Sequence, residues 1–470
     1  MMNKYSIKSI SCILFLHLIS CNNPEVNNEN KKSTLSDSSA YTPKQYVELK
    51  HPEWSRNATI YEVNIRQFTP EGNFKAFESH LPRLKELGID IIWLMPIHPI
   101  GELKRKGTMG SYYSVKDYLA VNPEFGSMDE FKSLVKKIHS MGMYVILDWV
   151  ANHSAWDNPL ATKHPEWYTK TKEGEFQPTP WYDWDDVIDF DYDQPGMRKY
   201  MTEAFKFWVK ETDIDGYRCD VAGFIPVDFW DNVRRELDGI KPVFMLAEWD
   251  SRDLYKHSFD MTYSWSLWDK MKEVTTGKKK IGGLVEYMAH DVNTVPRDAF
   301  RMTFTDNHDK NSWEGNQYSN FGDGLPACIV LSAVVNGMPL VYSGQEAGLN
   351  RSLKFFDKDT ISWKPHPFAG MYKKLFDLKH KNEALWNGAW GGEMIRIFND
   401  KQDQVLSISR EKNNDKVISI FNFNDKPVNV TLKAENHKGL YTELFSNARF
   451  DLKGGDKLTL PAWGYLVLVK

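Results

Sequence analysis

The stretch "RMTFTDNHD" (301–309) starts as a strand and ends in Asp306, Asn307, His308 and Asp309. Two carboxylates, an amide and an imidazole in so short a run are costly to bury and unnecessary for a turn. The same event recurs along the chain. Apolar strands open into "LDWVANH" (147–153), "GYRCD" (216–220) and "LAEW" (246–249). In a parallel barrel every strand C-terminus meets at one face, so residues far apart in sequence converge there. Asp220, Glu248 and Asp309 would then form a carboxylate trio, with Arg218, His153 and His308 around it. One such acid alone can cap a helix or pair with Lys or Arg. Three at successive strand ends, beside an arginine and two histidines, point to one shared site.

The rest of the chain has the rhythm such a barrel needs. "ATIYEVNIRQF" (58–68) and "IDIIWLMPI" (89–97) read as strands, with "FKAFESHLPRLKELG" (74–88) as a helix between them. "SMDEFKSLVKKIHSMG" (127–142) reads as a helix opened by Ser127 with Glu130 three residues on, a capping box. "MYVILDWV" (143–150) is a third strand. Residues 151–193, rich in Trp, Asp, Pro and Tyr, break the rhythm and read as an inserted lobe. It then resumes with helix 197–212, strand 214–220, helix 226–237, strand 242–249, a weaker strand in "HSFDMTY", a helical region to about 290, strand 301–309, helix 325–337, strand 338–346 and helix 367–385. Eight strands alternating with helices predict an α/β fold with a closed (β/α)8 TIM barrel; a doubly wound open sheet is the competing arrangement. From Trp386 onward short β-rich pieces predict a C-terminal antiparallel β domain. The expected organisation is barrel at 51–150 and 194–385, lobe at 151–193 and β domain at 386–470.

The N-terminus carries a different message. "MMNKYSIKSISCILFLHLISC" places lysines before an apolar run too short to span a bilayer, and residues 1–20 read as a secretory signal. Leu18-Ile19-Ser20-Cys21 resembles the bacterial lipoprotein box, in which Cys21 becomes the lipidated first residue. Residues 21–50 would be a polar tether. The expectation is an exported lipoprotein, held at the outer membrane if the cell is Gram-negative. Cys219 and Cys328 read as separate buried thiols. A net charge of −4 offers nothing to a nucleic-acid backbone.

Paired carboxylates suit glycosidic bond cleavage. One stays ionised to attack the sugar carbon while another holds a proton for the leaving oxygen, and burial with like-charge proximity separates their pKa values. Arg218 lies two residues before Asp220 and shares its side of the strand, where a guanidinium keeps the carboxylate ionised. A zinc site is the alternative use of His, Asp and Asn, but neither an HExxH motif nor a cysteine set is present.

Taken together, "DWVANH" (148–153), "GYRCD" (216–220), Glu248 in "LAEW" and "FTDNHD" (304–309), in this order and spacing, resemble the α-amylase family of glycoside hydrolases (family 13 type). "GSYYSVKDY" (110–118) and "VIDFDY" (187–192) resemble the family's tyrosine-bearing segment and the end of its inserted lobe. The resemblance covers about residues 54–470. It implies a (β/α)8 barrel with a lobe after the third strand and a C-terminal β-sandwich, acting on α-glucosidic bonds with retention of configuration. It implies Asp220 as nucleophile, Glu248 as general acid/base and Asp309 as the third acid that grips sugar hydroxyls. Arg218 would orient Asp220, with Asp148, His153 and His308 around the sugar, Tyr113 stacking under its ring and Trp249 shaping the leaving-group side. The chemistry needs no cofactor. A structural calcium is implied at Asn152 and Asp189, although "DVAGF" departs from the Lys-His that often follows the nucleophile. The expected substrate is a starch-derived α-1,4-glucan or maltooligosaccharide. An α-glucan transferase with the same residues, and a non-catalytic glucan-binding lipoprotein, are the competing readings.

Overall fold

The computed structural model describes residues 46–433 and 435–470. The expected signal peptide at 1–20, Cys21 and the expected tether up to residue 45 lie outside the described residues. Residues 46–50, read from sequence as tether, belong instead to the compact unit 46–470. Val47 is buried with Tyr255 and Ala299, and the Glu48 amide donates to the Lys256 carbonyl at 2.8 Å. Val47, with Tyr46 and Leu49 packed beside it, and backbone acceptors and donors such as the Lys50 carbonyl facing Arg234 dock a segment whose composition alone reads as solvated.

Ten short strands run through the first three-quarters of the chain: β1 (Ile60–Val63), β2 (Ile91–Leu94), β3 (Tyr144–Trp149), β4 (His153–Ala155), β5 (Val187–Asp189), β6 (Gly216–Cys219), β7 (Phe244–Ala247), β8 (Met261–Tyr263), β9 (Phe300–Thr303) and β10 (Met338–Tyr342). Eight of them close into a parallel barrel in the order β1-β10-β9-β8-β7-β6-β3-β2. Strands buried on both faces read as near-continuous apolar runs, and β1, β2, β6, β7 and β10 are buried at every position. The closed barrel therefore replaces the open-sheet alternative. β4 and β5 pair antiparallel in the inserted lobe, with His153 opposite Asp189.

Local chemistry explains where elements start and stop. Ser127 and Glu130 form the expected capping box on helix Met128–Ser140. The expected strand at 58–68 ends early, because the Asn64 side chain caps a short helix at Ile65–Phe68. The expected helix at 74–88 is two helices, Phe74–Glu78 and Leu81–Leu87, the second closed by Gly88 in the left-handed region. Pro82 at the second helix's first turn has no N–H to continue the first. Gly216 opens β6 at φ +148°, where a Cβ would stand 1.8 Å from the Phe244 carbonyl oxygen. Only glycine allows β6 and β7 to approach this closely.

The C-terminal region is two antiparallel sheets, one of six strands and one of three. Ile418, Ile420 and Leu468 from the larger sheet meet Val428, Val430 and Leu460 from the smaller in one buried layer, a sandwich. Its seam with the barrel combines apolar packing, with Leu406, Ile408, Phe421 and Val467 joining the barrel's core, with buried polar bonds. Buried Arg410, on strand Val405–Lys412, donates to the carbonyls of Val335 and Trp386, each at 2.8 Å. Buried Lys379 donates to Gly337 and Leu385 carbonyls at 3.0 and 2.7 Å. Cys219 and Cys328 are free and buried. Among the described residues no helix is long and apolar enough to cross a membrane.

Two substitutions separate cap from strand packing. Ser127→Ala should cost about 1 kcal/mol in urea unfolding. Gly216→Ala should cost on the order of 3 kcal/mol or more, because the new Cβ meets backbone that cannot yield.

Candidate active site

Asp148 on β3 and Arg218 on β6 are register neighbours at the open end of the barrel. Arg218 Nη1 donates to Asp148 Oδ1 at 2.7 Å and to Asp220 Oδ1 at 3.0 Å. Its Nη2 lies 2.9 Å from Glu248 Oε2, and its Nε donates to the Tyr263 hydroxyl at 3.1 Å. The guanidinium is wholly buried. Desolvating a cation costs several kcal/mol, which good geometry with opposite charges offsets. Here three carboxylates share one planar fork, an arrangement lysine cannot reproduce.

The turn after β6 completes this grip. Val221 sits at φ +34°, a strained conformation for a β-branched residue, of order 1–3 kcal/mol. In return its N–H donates to Glu248 Oε2 at 2.8 Å. Asp220 and Glu248 each retain 7% exposure, an edge through which a substrate atom can reach them. Asp309, in the first turn of helix His308–Trp313, is 40% exposed and faces solvent.

A second chain of bonds runs to the opposite wall. The Tyr113 hydroxyl donates to Asp148 Oδ2 at 3.1 Å and lies 2.8 Å from His308 Nε2. The other His308 nitrogen, Nδ1, stands 2.5 Å from Glu62 Oε1. Tyr113 stacks against His308 and Phe355, with ring centroids 5.4 and 6.1 Å apart. Trp93 braces Asp148 through its Nε1 at 3.1 Å.

Burial and charge then separate the acids. Burial drives the Glu248 carboxyl well above the usual range, against the pull of Arg218 and with a further push from Asp220 and Asp309. Burial pushes Asp220 up to about 6, again opposed by Arg218. Glu248 is thus the group held furthest toward its protonated form. Burial pulls His308 down, but Asp309 and Glu62 outweigh it and raise the imidazole to about 9. Burial lowers His153 to about 3, so it is neutral.

The lobe supplies the remaining side. Asn152 Nδ2 donates to Asp189 Oδ1 at 3.1 Å, and the Thr179 hydroxyl donates to the same oxygen at 2.5 Å. Burial raises Asp189 to about 6. The two residues expected to hold calcium do meet, but they face each other donor to acceptor. Among the described residues no cluster of three or more His, Cys, Asp or Glu accompanies them. This closed pair does not fit the six to eight oxygen ligands that calcium takes, and no step below involves the ion. Trp249, beside Glu248, packs edge-on to Phe224 with centroids 5.3 Å apart. A Cβ on Gly223 would come within 2.1 Å of the Trp249 ring. The Gly-Phe pair that departs from the Lys-His pattern thus makes room for this tryptophan. Trp184 lies 5.7 Å from His153 and stacks with Tyr182 at 4.3 Å.

The structure therefore gathers Asp148, Arg218, Asp220, Glu248, Tyr113, His308 and Asp309 at one end of the barrel, with His153 and Trp249 on its lobe side. Sequence reading missed Glu62, Trp93, Tyr263 and Phe355. A signal existed for Glu62, the one charged residue in the apolar run "TIYEV". Trp93 and Tyr263 sit in apolar strands, where an aromatic reads as core.

Comparison with known proteins agrees with this geometry. The family profile described as "Alpha amylase, catalytic domain" matches residues 31–417. The one described as "Maltogenic Amylase, C-terminal domain" matches residues 395–467. An α-amylase of Haloarcula japonica is 26% identical over 407 residues, covering 82% of this chain, while the chain spans 58% of that relative's length. The crystal structure of a maltogenic α-amylase from Thermotoga neapolitana superposes with a TM-score of 0.80 at 32% identity, covering 88% of this chain and 98% of that one. An α-amylase from Lactobacillus plantarum superposes with a TM-score of 0.79 at 29% identity, covering 89% and 99%. A barrel with its acids on one arginine, followed by a matching C-terminal sandwich, places this chain in the α-amylase family of glycoside hydrolases.

Proposed function

We propose that the protein hydrolyses α-1,4-glucosidic bonds of starch-derived glucans and maltooligosaccharides with net retention, through a covalent glucosyl-enzyme intermediate. One observation carries the reading. Two carboxyls stand at the two Nη atoms of one buried guanidinium, 3.0 and 2.9 Å away, and the one driven further toward its protonated form is Glu248. An ionised nucleophile beside a protonated acid is the pairing that retaining cleavage requires.

Glu248 gives its proton to the glycosidic oxygen as Asp220 attacks the anomeric carbon. The C1–O bond breaks, the shortened glucan leaves as an alcohol, and a β-glucosyl ester forms on Asp220. Glu248, now ionised, takes a proton from water, which attacks the same carbon from the opposite face and releases Asp220. Two inversions restore the α configuration. Arg218 stabilises Asp220 as a leaving carboxylate. Asp309 and the charged His308 hold sugar hydroxyls, and Tyr113 supplies an aromatic floor for the ring. Trp249, Phe224, Trp184 and Tyr182 border the leaving-group side.

The export reading is a separate proposal resting on residues 1–21. The signal and the Leu-Ile-Ser-Cys run support processing at Cys21, lipid attachment and a place at the membrane surface, so that the enzyme would meet glucan outside the cytoplasm.

Maltoheptaose given to the chain from Asn22 to Lys470 should yield shorter products that appear first as α-anomers by NMR. Asp220→Asn should lower kcat at least about 10³-fold. Glu248→Gln should lose a comparable amount on maltoheptaose, but its kcat/KM on α-maltosyl fluoride, whose leaving group needs no proton, should fall far less. Products longer than the substrate would assign glucan transfer instead, and no turnover on any α-glucan length would return the binding-protein reading.

The pH profile of kcat/KM should be bell-shaped. As pH falls through about 6, Asp220 takes up a proton and attack is lost. As pH rises through the elevated pKa of Glu248, the proton donor is lost. Glu248→Gln assayed on α-maltosyl fluoride should keep the acid limb and lack the alkaline one.

In a Gram-negative host, the full chain should fractionate with membranes, and Cys21→Ser should abolish that association without changing kcat. An unaltered distribution would overturn the lipoprotein proposal.

A further inference from the structure

Glu62 stands apart from the machinery described above. It lies at the C-terminal end of β1 and is completely buried. Its Oε1 meets His308 Nδ1, and its Oε2 has no hydrogen-bond partner among the described residues. A buried carboxyl with a free oxygen is expensive to keep, so its position asks for a purpose.

The hydrogen-bond directions supply one. The single Tyr113 hydroxyl proton goes to Asp148 Oδ2. The Tyr113 oxygen must therefore accept from His308 Nε2, 2.8 Å away. Asp309 Oδ1, 3.3 Å from the same nitrogen, also only accepts when ionised. Nε2 thus carries a proton. Nδ1 faces Glu62 Oε1 at 2.5 Å; burial raises the Glu62 carboxyl and the His308 and Arg218 charges draw it back, and with the shared proton on the more basic imidazole, Nδ1 donates as well. With both nitrogens donating, the ring is an imidazolium. The groups facing it are Glu62 from β1, Trp93 edge-on from β2 at 5.9 Å, Tyr113, Asp148 from β3, Arg218 from β6 and Asp309 from its own turn.

We propose that Glu62 is a positioning residue for the reaction: its carboxylate holds His308 as a fixed imidazolium, with Nε2–H aimed at Tyr113, Asp309 and the incoming sugar. Hydrogen bonds then run from Glu62 through His308, Tyr113 and Asp148 to Arg218 and Asp220, with Glu248 beside Arg218 as an ion-pair neighbour. In charge, Arg218 and His308 face Glu62, Asp148, Asp220 and Asp309, while Glu248 is held toward its neutral, protonated form. Without a charged His308, Arg218 alone would balance them. Glu62 touches no substrate atom and acts through the ring. The inference rests on the hydrolase reading for its catalytic consequence, while the state of His308 is measurable without substrate.

The test uses the chain from Asn22 to Lys470 with isotope-labelled histidine, the His308 signal being assigned by its loss in H308Q. In the wild-type protein the His308 signals should titrate with a midpoint of about 9. In E62Q, which keeps the shape, the midpoint should fall by about one pH unit or more, and kcat should fall roughly tenfold or more with KM nearly unchanged. E62D, which keeps the charge, should restore most of both. In an H308Q background, E62Q should change kcat by less than about twofold, because its effect passes through the ring. A His308 midpoint unmoved in folded E62Q, or independent losses that multiply in the double variant, would overturn the proposal. So would a loss in E62D equal to that in E62Q, which keeps the test decisive if E62Q folds poorly. Because the titration is read in the free protein, its failure is distinct from a failure to hydrolyse glucan.

Discussion

The buried guanidinium of Arg218 is the interaction on which the rest depends. Acids from β3, the turn after β6 and the end of β7 would repel one another if brought together unaided. One cation with no accessible water lets them share a space of a few ångströms. Its planar fork also sets their directions, because Asp148 and Asp220 both accept from Nη1 while Glu248 stands 2.9 Å from Nη2. Removing one partner of such a buried set leaves an uncompensated charge, which costs several kcal/mol. The same group therefore serves stability and chemistry together, and the two cannot be tuned separately.

The surrounding backbone is shaped to present this cluster. Gly216 lets β6 lie close to β7, and Val221 accepts a left-handed conformation two residues after Cys219 ends the strand. Between them the chain carries Arg218, Cys219 and Asp220, with polar side chains turned into the site and the thiol into the core. Gly223 then yields the space occupied by the Trp249 ring. These local costs sit at the functional end of the barrel, whereas the rest of each strand is ordinary buried aliphatic packing. The seam to the C-terminal sandwich is of the ordinary kind, with Leu406, Phe421 and Val467 packed into the barrel's core and Arg410 donating to backbone carbonyls.

The two histidines show how placement decides chemistry for one residue type. His153 lies between lobe and barrel, where burial leaves it neutral at about 3. His308 is equally buried, yet Asp309 and Glu62 raise it to about 9. Both stand beside the same cleft. One is held toward the neutral ring and the other toward the charged one, so the two differ in what they can offer a bound sugar.

Much of this was legible in the chain. Apolar runs ending in acids located the strands that carry Asp148 and Arg218 and lead to Glu248 and Asp309, and the Ser127–Glu130 pair located a helix start. These features are local, and local propensity with burial determines them. Where sequence reading erred, a neighbour decided. Asn64 ended β1 early, and Val47 drew residues 46–50 out of the expected tether. The partnership of Glu62 with His308 spans 246 positions, and that of Arg218 with Glu248 exists only because β6 and β7 are adjacent in the closed barrel. Residue types and periodicity determined the barrel and nominated its acids. Which acid keeps its proton, and which histidine its charge, was decided by tertiary structure, because pKa values depend on desolvation and on charges a few ångströms away in space.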